Sequence, residues 1–201
     1  GVNPVRQDKA HAHCTELSPA EDILYAVDLG IDCTKAYRLN GAENILNPYP
    51  EADLYESAGS GPRHIIFSEN GNFAYVINEL LNTISAWNIQ NPAKPAKMQT
   101  LSLLPESWKG ENTAAAIKQT KDGKIICCSN RGYESLAFFA VDTNTGLLSL
   151  QNICPLPGNG PRDFAFSPCE KYIVSTHQYS DNVIISKFDA KNAKLAESPA
   201  S

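Results

Sequence analysis

The sequence predicts an all-β fold, a β-propeller, of which four four-stranded blades are visible. Three observations predict it: one phrase recurs four times, its period is near 50 residues, and each copy holds four short strand-like segments. Repeats of this length with four strands per copy are typical of propeller blades. A β-sandwich is the alternative, but a sandwich does not normally repeat one four-strand phrase with the same internal spacing.

The repeat is clearest in two stretches that open with Gly-Pro-Arg. "GPRHIIFSENGNFAYVINE" begins at Gly61, and "GPRDFAFSPCEKYIVSTHQ" begins at Gly160. Two more divergent copies align with them, and the four anchor positions are 50, 52 and 47 residues apart: Ser18, Ser68, Thr120 and Ser167. We therefore predict that residues 1–201 form a single β-propeller region with repeat units 11–57, 61–109, 112–157 and 160–201.

Each copy is predicted to form an antiparallel sheet. A first alternating stretch ("HIIFS"), a polar turn ("ENGN" or "KDGK"), a second stretch ("FAYVIN") and a third ("TISAWNI") precede a weaker fourth ("GLLSLQNI"). Alternation with period two indicates half-buried strands, and Asn-Gly and Asp-Gly mark hairpin turns. The stretch "ENTAAAIKQ", the best candidate for a helix, follows the repeat register and is therefore predicted to be loop plus strand.

Composition restricts the possible functions. A net charge of −5 and a pI near 5.4 argue against a general binder of nucleic acid or of anionic membranes. No apolar run is long enough to span a bilayer, and the polar start "GVNPVRQDKAHAH" lacks the apolar core of a signal peptide. These features predict a cytoplasmic protein, and they leave its oligomeric state open.

The six cysteines are predicted to be reduced structural thiols. None forms a C-x-x-C pair, and no Cys/His group has the spacing of a zinc site. Cys127 and Cys128 lie inside an apolar run, where a thiol packs as a small hydrophobic group. We predict no metal and no cofactor.

The repeat also predicts where a functional site lies. In a blade the first two strands form a hairpin, so the start of the first strand and the end of the second lie at the same end of the sheet. Five residues before each anchor and eleven after it, the sequence places His13, Arg63, Ala115 and Arg162, and Leu29, Glu79, Arg131 and Gln178.

Five of these eight positions are ionisable, and His11, His64 and Asp163 lie beside them. Three arginines and a glutamate at one end of the blades predict a site for an anion, because the planar guanidinium suits phosphate and carboxylate. Taken singly, each residue also has a structural interpretation. Arg63 and Glu79 could form a salt bridge across their hairpin, and Arg131 could cap a turn.

The phrases "HAHCTELSP", "GPRHIIFSENGNFAYVINEL", "NTAAAIKQTKDGK", "SNRGYESLAFFAVD" and "GPRDFAFSP" resemble the seven-bladed propeller lactonases over essentially the whole chain. This family includes the bacterial cycloisomerase-type 6-phosphogluconolactonases and the fungal muconate-lactonising enzymes. The resemblance is to the C-terminal four of seven blades, so it implies that three N-terminal blades are absent.

The resemblance also implies residue roles. A histidine, two arginines and a glutamate are proposed for the site of the fungal relatives, and by motif they correspond to His13, Arg63, Glu79 and Arg131. We predict these four as catalytic, and His11, His64, Arg162 and Asp163 as substrate-binding. Two positions depart from many relatives: Tyr133 replaces a histidine, and Ala116 replaces a glutamate. These departures leave the substrate less well specified than the pocket.

Three functions are compatible with these residues. The first is hydrolysis of an anionic sugar lactone, 6-phosphoglucono-lactone, as in the pentose phosphate pathway, with Glu79 or His13 as general base and Arg63 and Arg131 at the oxyanion. The second is lactonisation of an unsaturated diacid, as in the muconate relatives. The third is a non-catalytic interaction scaffold, because fold does not imply function.

Overall fold

The computed structural model describes residues 1–40 and 45–195. Over these residues the regular structure is β, apart from one 3₁₀ helix at Pro50–Ala52, and the predicted all-β class is confirmed. The predicted units 11–57 and 160–201 include residues 41–44 and 196–201, which lie outside the described residues. Within the described ranges, no helix is long and apolar enough to cross a membrane.

The chain divides into two compact units, residues 1–100 and 101–201. The first unit contains two antiparallel sheets. Its first sheet has the order β1-β2-β3-β4 with β5 also paired to β3: β1 (Ala12–Leu17), β2 (Ile23–Asp28), β3 (Cys33–Asn40), β4 (Ile45–Pro48) and β5 (Leu54–Tyr55). Its second sheet has the order β6-β7-β8-β9: β6 (Pro62–Phe67), β7 (Phe73–Asn78), β8 (Thr83–Asn88) and β9 (Ala96–Ser102).

The second unit contains two further four-stranded antiparallel sheets. One has the order β10-β11-β12-β13: β10 (Thr113–Gln119), β11 (Ile125–Arg131), β12 (Ser135–Val141) and β13 (Leu148–Pro155). The other has the order β14-β15-β16-β17: β14 (Pro161–Phe166), β15 (Tyr172–His177), β16 (Asn182–Asp189) and β17 (Lys194–Leu195). Strand β10 contains most of "ENTAAAIKQ", so the prediction of a strand there is confirmed.

The anchor hydroxyls explain why the repeat keeps Ser or Thr at these positions. Each accepts a hydrogen bond from the backbone N–H five residues later, across the turn between the first two strands of its sheet. The donors lie at 3.2, 2.9, 3.1 and 3.2 Å for Ser18, Ser68, Thr120 and Ser167, respectively. Gly71 and Gly123 occupy two of these turns with φ of 69° and 65°, a conformation that glycine adopts without steric cost.

Each unit has its own hydrophobic core. In the first unit, side chains such as Tyr25, Ile65 and Trp87 pack together, and in the second, Phe138 and Ile173 do so. Cys127 and Cys128 are fully buried, and burial raises the pKa of both thiols. All six cysteines are free, as predicted. A thiol held in its neutral form is a poor nucleophile, so these two side chains fit a packing role.

Candidate active site

A β-bulge marks the predicted site position in the first strand of every sheet. In β6, Pro62 pairs with Asn78 and His64 pairs with Ile77, which leaves Arg63 as the extra residue. The same shift leaves His13 extra in β1 and Arg162 extra in β14, and in β10 it falls between Ala114 and Ile117. A bulge interrupts the alternation of side chains and re-aims one of them. The sequence did not predict the bulges.

The two strands of each hairpin meet where the spacing predicted. The N–H of Glu79, just after β7, donates to the carbonyl of Gly61, just before β6, at 2.7 Å. Gln178 donates in the same way to Gly160 at 2.8 Å. The residue just before the first strand and the residue just after the second are therefore neighbours.

The glycine of Gly-Pro-Arg has a definite steric role. Gly61 has a φ of 61°, and a Cβ at this position would lie 2.5 Å from Leu80 Cγ. Gly160 has a φ of 71°, and its Cβ would meet the ring of Tyr179 at 2.6 Å. Only glycine combines this backbone conformation with so close an approach. The motif thus places an arginine directly after a tight entry turn.

A buried carboxylate between two guanidinium groups forms the centre of the candidate site in the first unit. Arg63 Nε lies 2.9 Å from Glu79 Oε2, and both side chains are only 4% exposed. Arg6 Nη2 lies 2.6 Å from Glu79 Oε1, with its own side chain 45% exposed. The predicted salt bridge across the hairpin is therefore present, and a second arginine completes it.

Two histidines lie beside this cluster. Arg63 Nη1 is 3.2 Å from both ring nitrogens of His64. The His64 ring packs edge-to-face against His13, with 5.0 Å between ring centroids. The first two sheets therefore contribute one imidazole each, and the chain brings His13, His64, Arg63 and Glu79 together as predicted.

An open cavity of about 260 Å³ borders the site, lined by Val5, Arg6, His11, Ala12, His13 and Leu29. His11 is half-buried, and its Nε2 lies 2.7 Å from Asp8 Oδ1. This hydrogen bond lowers the pKa of Asp8. The cavity wall thus combines one guanidinium, two imidazoles and apolar surface, a lining that suits a small polar ligand.

The second unit holds the other predicted residues. Arg131 is 8% exposed, and its Nη2 donates to the carbonyl of Ala114, in strand β10, at 3.1 Å. Arg162 is exposed, and its Nη1 donates to Gln178 Oε1 at 3.0 Å. Asp163 is exposed and lies 3.7 Å from the ammonium of Lys118.

Arg162 and Gln178 border a cavity of about 240 Å³ in the second unit, together with His177, Thr176, Asp181, Asn182 and Val183. His177 is 4% exposed and contacts Ser175 Oγ at 2.9 Å through Nε2. Burial lowers the pKa of His177, since a charged imidazole loses its hydration there.

Sequence reasoning missed Arg6. This residue lies in a polar segment with no periodicity and outside the four repeat units, so no spacing rule connects it to Glu79. A turn stabilised by Asn3, whose Oδ1 accepts the N–H groups of Val5 and Arg6, presents the arginine. Only the tertiary contact reveals its association with Glu79.

The repeating antiparallel sheets are those of a β-propeller. In the first unit, Arg6, Arg63, Glu79 and two histidines form a candidate site for a polar ligand. A family model described as "Lactonase, 7-bladed beta-propeller" matches residues 1–201. The chain therefore belongs to the seven-bladed β-propeller lactonase family, and the predicted fold is confirmed.

Relatives of this family are similar over nearly the whole chain. The chain is 32% identical to a 6-phosphogluconolactonase of Bacillus subtilis over 97% of its own length and 55% of the relative's. It is 33% identical to a 6-phosphogluconolactonase of Formosa agariphila, covering 99% of the chain and 57% of the relative. The chain thus spans about half the length of these curated relatives.

A solved structure of the same family has a similar fold. The periplasmic gluconolactonase of Pseudomonas aeruginosa superposes with a TM-score of 0.90 at 32% identity, over 95% of this chain and 53% of that protein.

Proposed function

We propose that the protein hydrolyses a sugar lactone, 6-phosphoglucono-lactone, to 6-phosphogluconate, the lactonase step of the pentose phosphate pathway. The observation that carries the proposal is the cluster of Arg63, Glu79 and Arg6 beside two imidazoles and an open cavity. The names of the two bacterial relatives support the same chemistry.

Hydrolysis of a lactone requires a base, an oxyanion stabiliser and a held substrate. His13 lines the cavity and is the general base: it accepts a proton from water as the water oxygen attacks the lactone carbonyl carbon. Arg63 stabilises the oxyanion that forms. The bond from this carbon to the ring oxygen then breaks, and His13 returns the proton to the departing oxygen. The product is an open-chain acid.

Glu79 positions the arginines in this scheme. Both of its carboxylate oxygens contact guanidinium nitrogens, so neither oxygen is available to accept a proton from the attacking water. Between His13 and Glu79, geometry therefore favours His13 as the base. Glu79 holds the fork of Arg63 in one orientation, which is the condition for stabilising a charge that appears only during the reaction.

Arg6 is the group that binds the substrate phosphate. It lines the cavity, its side chain is the exposed member of the cluster, and its guanidinium offers donors in a planar fork. The three groups Arg6, Arg63 and Glu79 together carry one positive charge, so the cluster attracts an anion. His11, on the same cavity wall, is a second contact for the phosphate.

The first test is lactone hydrolysis with His13→Gln as the variant. Freshly prepared 6-phosphoglucono-lactone is mixed with the protein, and acid release is followed after subtraction of spontaneous hydrolysis. We expect clear activity in the wild-type protein and a fall in kcat of about a hundredfold or more in the variant, as for the loss of a general base. Glutamine keeps the size of the side chain and a hydrogen-bonding group.

Two outcomes would reject this proposal. A folded wild-type protein without activity above background would reject lactone hydrolysis, and the diacid lactonisation and scaffold hypotheses would then be tested next. Full activity in His13→Gln would retain hydrolysis but reject His13 as the base.

Unphosphorylated glucono-lactone is a second candidate substrate, because the similar Pseudomonas protein is named a gluconolactonase. Arg6→Ala separates the two substrates. If Arg6 binds the phosphate, the variant raises the KM for 6-phosphoglucono-lactone by about tenfold, the usual loss of one charge-assisted contact. The KM for glucono-lactone, which has no phosphate, stays nearly unchanged.

The matched control for Arg6→Ala is Arg38→Ala. Arg38 is an exposed arginine of the same unit that stacks on the ring of Tyr49 at 3.9 Å, outside the candidate site. Equal effects of Arg6→Ala on both lactones would contradict a phosphate contact and favour the unphosphorylated substrate.

A further inference from the structure

Asp32 forms a hydrogen-bonded junction behind the candidate site. It lies in the tight turn between β2 and β3, is 8% exposed, and has a φ of 53°. Its two carboxylate oxygens accept three hydrogen bonds: Oδ1 from Gly61 N–H at 2.8 Å and from Gln7 Nε2 at 2.7 Å, and Oδ2 from Gly59 N–H at 2.7 Å. One side chain thus connects three segments of the first unit.

One of these segments leads directly to Arg63. Gly59 and Gly61 both have positive φ, and their N–H groups point at the Asp32 carboxylate. The carbonyl of Gly61 also accepts the N–H of Glu79. Pro62 follows with a fixed φ, and Arg63 is the bulged residue next to it. The loop that Asp32 holds therefore determines the backbone positions of Arg63 and Glu79.

Another segment leads to Arg6. Gln7 is 2% exposed, and its amide donates to Asp32 Oδ1 and to the carbonyl of Leu29, at 2.7 and 2.8 Å. Arg6 precedes Gln7 in the chain and contacts the opposite oxygen of Glu79 from the one that Arg63 contacts. The same carboxylate therefore holds the backbone beside both arginines.

The second unit contains the same arrangement. Glu134 lies in the turn between β11 and β12 with a φ of 44°. Its Oε2 accepts the N–H of Gly160 at 2.6 Å, and its Oε1 accepts the N–H of Gly132 at 3.0 Å. Gly160 precedes Pro161 and Arg162 as Gly61 precedes Pro62 and Arg63. An acidic side chain in one sheet thus fixes the Gly-Pro-Arg entry of the next.

We propose that Asp32 is a positioning residue that sets the placement of Arg6 and Arg63 on either side of Glu79. The proposal rests on the proposed function for its kinetic consequences, since it assigns Asp32 no contact with substrate. A carboxylate is required because three buried donors share two acceptor oxygens. An asparagine offers one acceptor oxygen and adds donors of its own, so at least one of the three donors loses its partner in either amide orientation.

The test compares Asp32→Asn with Asp53→Asn. Asp53 is a matched control: it is 4% exposed, belongs to the same unit, and accepts from Ala36 N–H, Lys35 and Tyr55, away from the candidate site. We expect Asp32→Asn to lower kcat about tenfold to a hundredfold, the usual cost of misplaced catalytic groups. Asp53→Asn keeps kcat within twofold while losing a comparable amount of thermal stability.

A double-mutant cycle shows whether Asp32 acts through Arg6. The dissociation constant of 6-phosphogluconate is measured by calorimetry for Asp32→Asn, Arg6→Ala and the double variant. We expect Asp32→Asn to weaken binding about tenfold in the wild-type background and less than threefold in the Arg6→Ala background. The effects of two substitutions are not additive when one residue acts through the other. A purely structural Asp32 gives the same factor in both backgrounds.

The crystal structure of Asp32→Asn decides the proposal without any activity. Displacement of Arg6 or Arg63 from Glu79 supports it, whereas retention of both contacts overturns it. Equal kcat in Asp32→Asn and Asp53→Asn also overturns it. If the wild-type protein hydrolyses no lactone, the proposed function fails, and the structure of the variant still tests the positioning role.

Discussion

Glu79→Gln is expected to reduce kcat/KM for 6-phosphoglucono-lactone by about 10²–10³-fold, because Arg63 loses the carboxylate that orients it. The variant is also expected to lose about 3–5 kcal/mol of unfolding free energy, the usual cost of leaving one partner of a buried ion pair uncompensated. Both side chains of the pair are 4% exposed, so water does not replace the missing charge. Kinetics on the folded fraction and urea denaturation measure the two effects.

Glu56→Gln is the matched control for this variant. The Glu56 side chain is 1% exposed, lies in the same unit, and accepts hydrogen bonds from Trp87 Nε1 and Ser85 Oγ while contacting Lys97 Nζ at 2.8 Å. We expect it to lose stability and keep kcat/KM within about threefold, the range of an indirect effect. Comparable kinetic losses in both variants would attribute the effect of Glu79→Gln to general destabilisation.

Arg63→Ala is expected to lower kcat by about 10²–10³-fold, the typical cost of removing one donor to a developing oxyanion. Its loss of stability is expected to be smaller than that of Glu79→Gln, because Glu79 keeps Arg6 at 2.6 Å as a counter-ion. Removal of either partner of this ion pair thus lowers the free energy of unfolding by a different amount. Initial-rate kinetics at saturating lactone and urea denaturation separate kcat from stability.

Arg63→Lys tests whether the shape of the guanidinium matters beyond its charge. Lysine keeps the positive charge beside Glu79 but lacks the planar fork that can face Glu79 and an oxyanion at once. We expect Arg63→Lys to regain most of the unfolding free energy that Arg63→Ala loses. Its kcat is expected to stay at least tenfold below that of the wild-type protein. Wild-type kcat in Arg63→Lys would show that charge alone is sufficient and would remove the geometric argument for this arginine.

The hairpin ends illustrate how far spacing alone can predict a site. An antiparallel pair fixes which residues lie opposite each other, so the positions of Arg63 and Glu79 relative to the anchor Ser68 were enough to predict that they meet. The strands and their turns were also predictable, since alternation and Asn-Gly or Asp-Gly are local signals. The bulge at Arg63 was not predictable, because Arg63 is the second residue of β6 and too few strand residues precede it for an interrupted alternation to be visible.

The sequence by itself determined the repeating four-stranded sheets, their all-β class and the ends at which ionisable residues gather, because these follow from interactions between residues near one another in the chain. The tertiary structure alone decided that Arg6 completes the Glu79 cluster, 73 residues away in the chain. It also decided that Asp32 holds the two backbone segments that carry Arg6 and Arg63. Such long-range contacts depend on how separate sheets pack, and no local pattern encodes them. For the same reason, Glu79, a candidate base in the sequence, is a buried counter-ion in the folded protein.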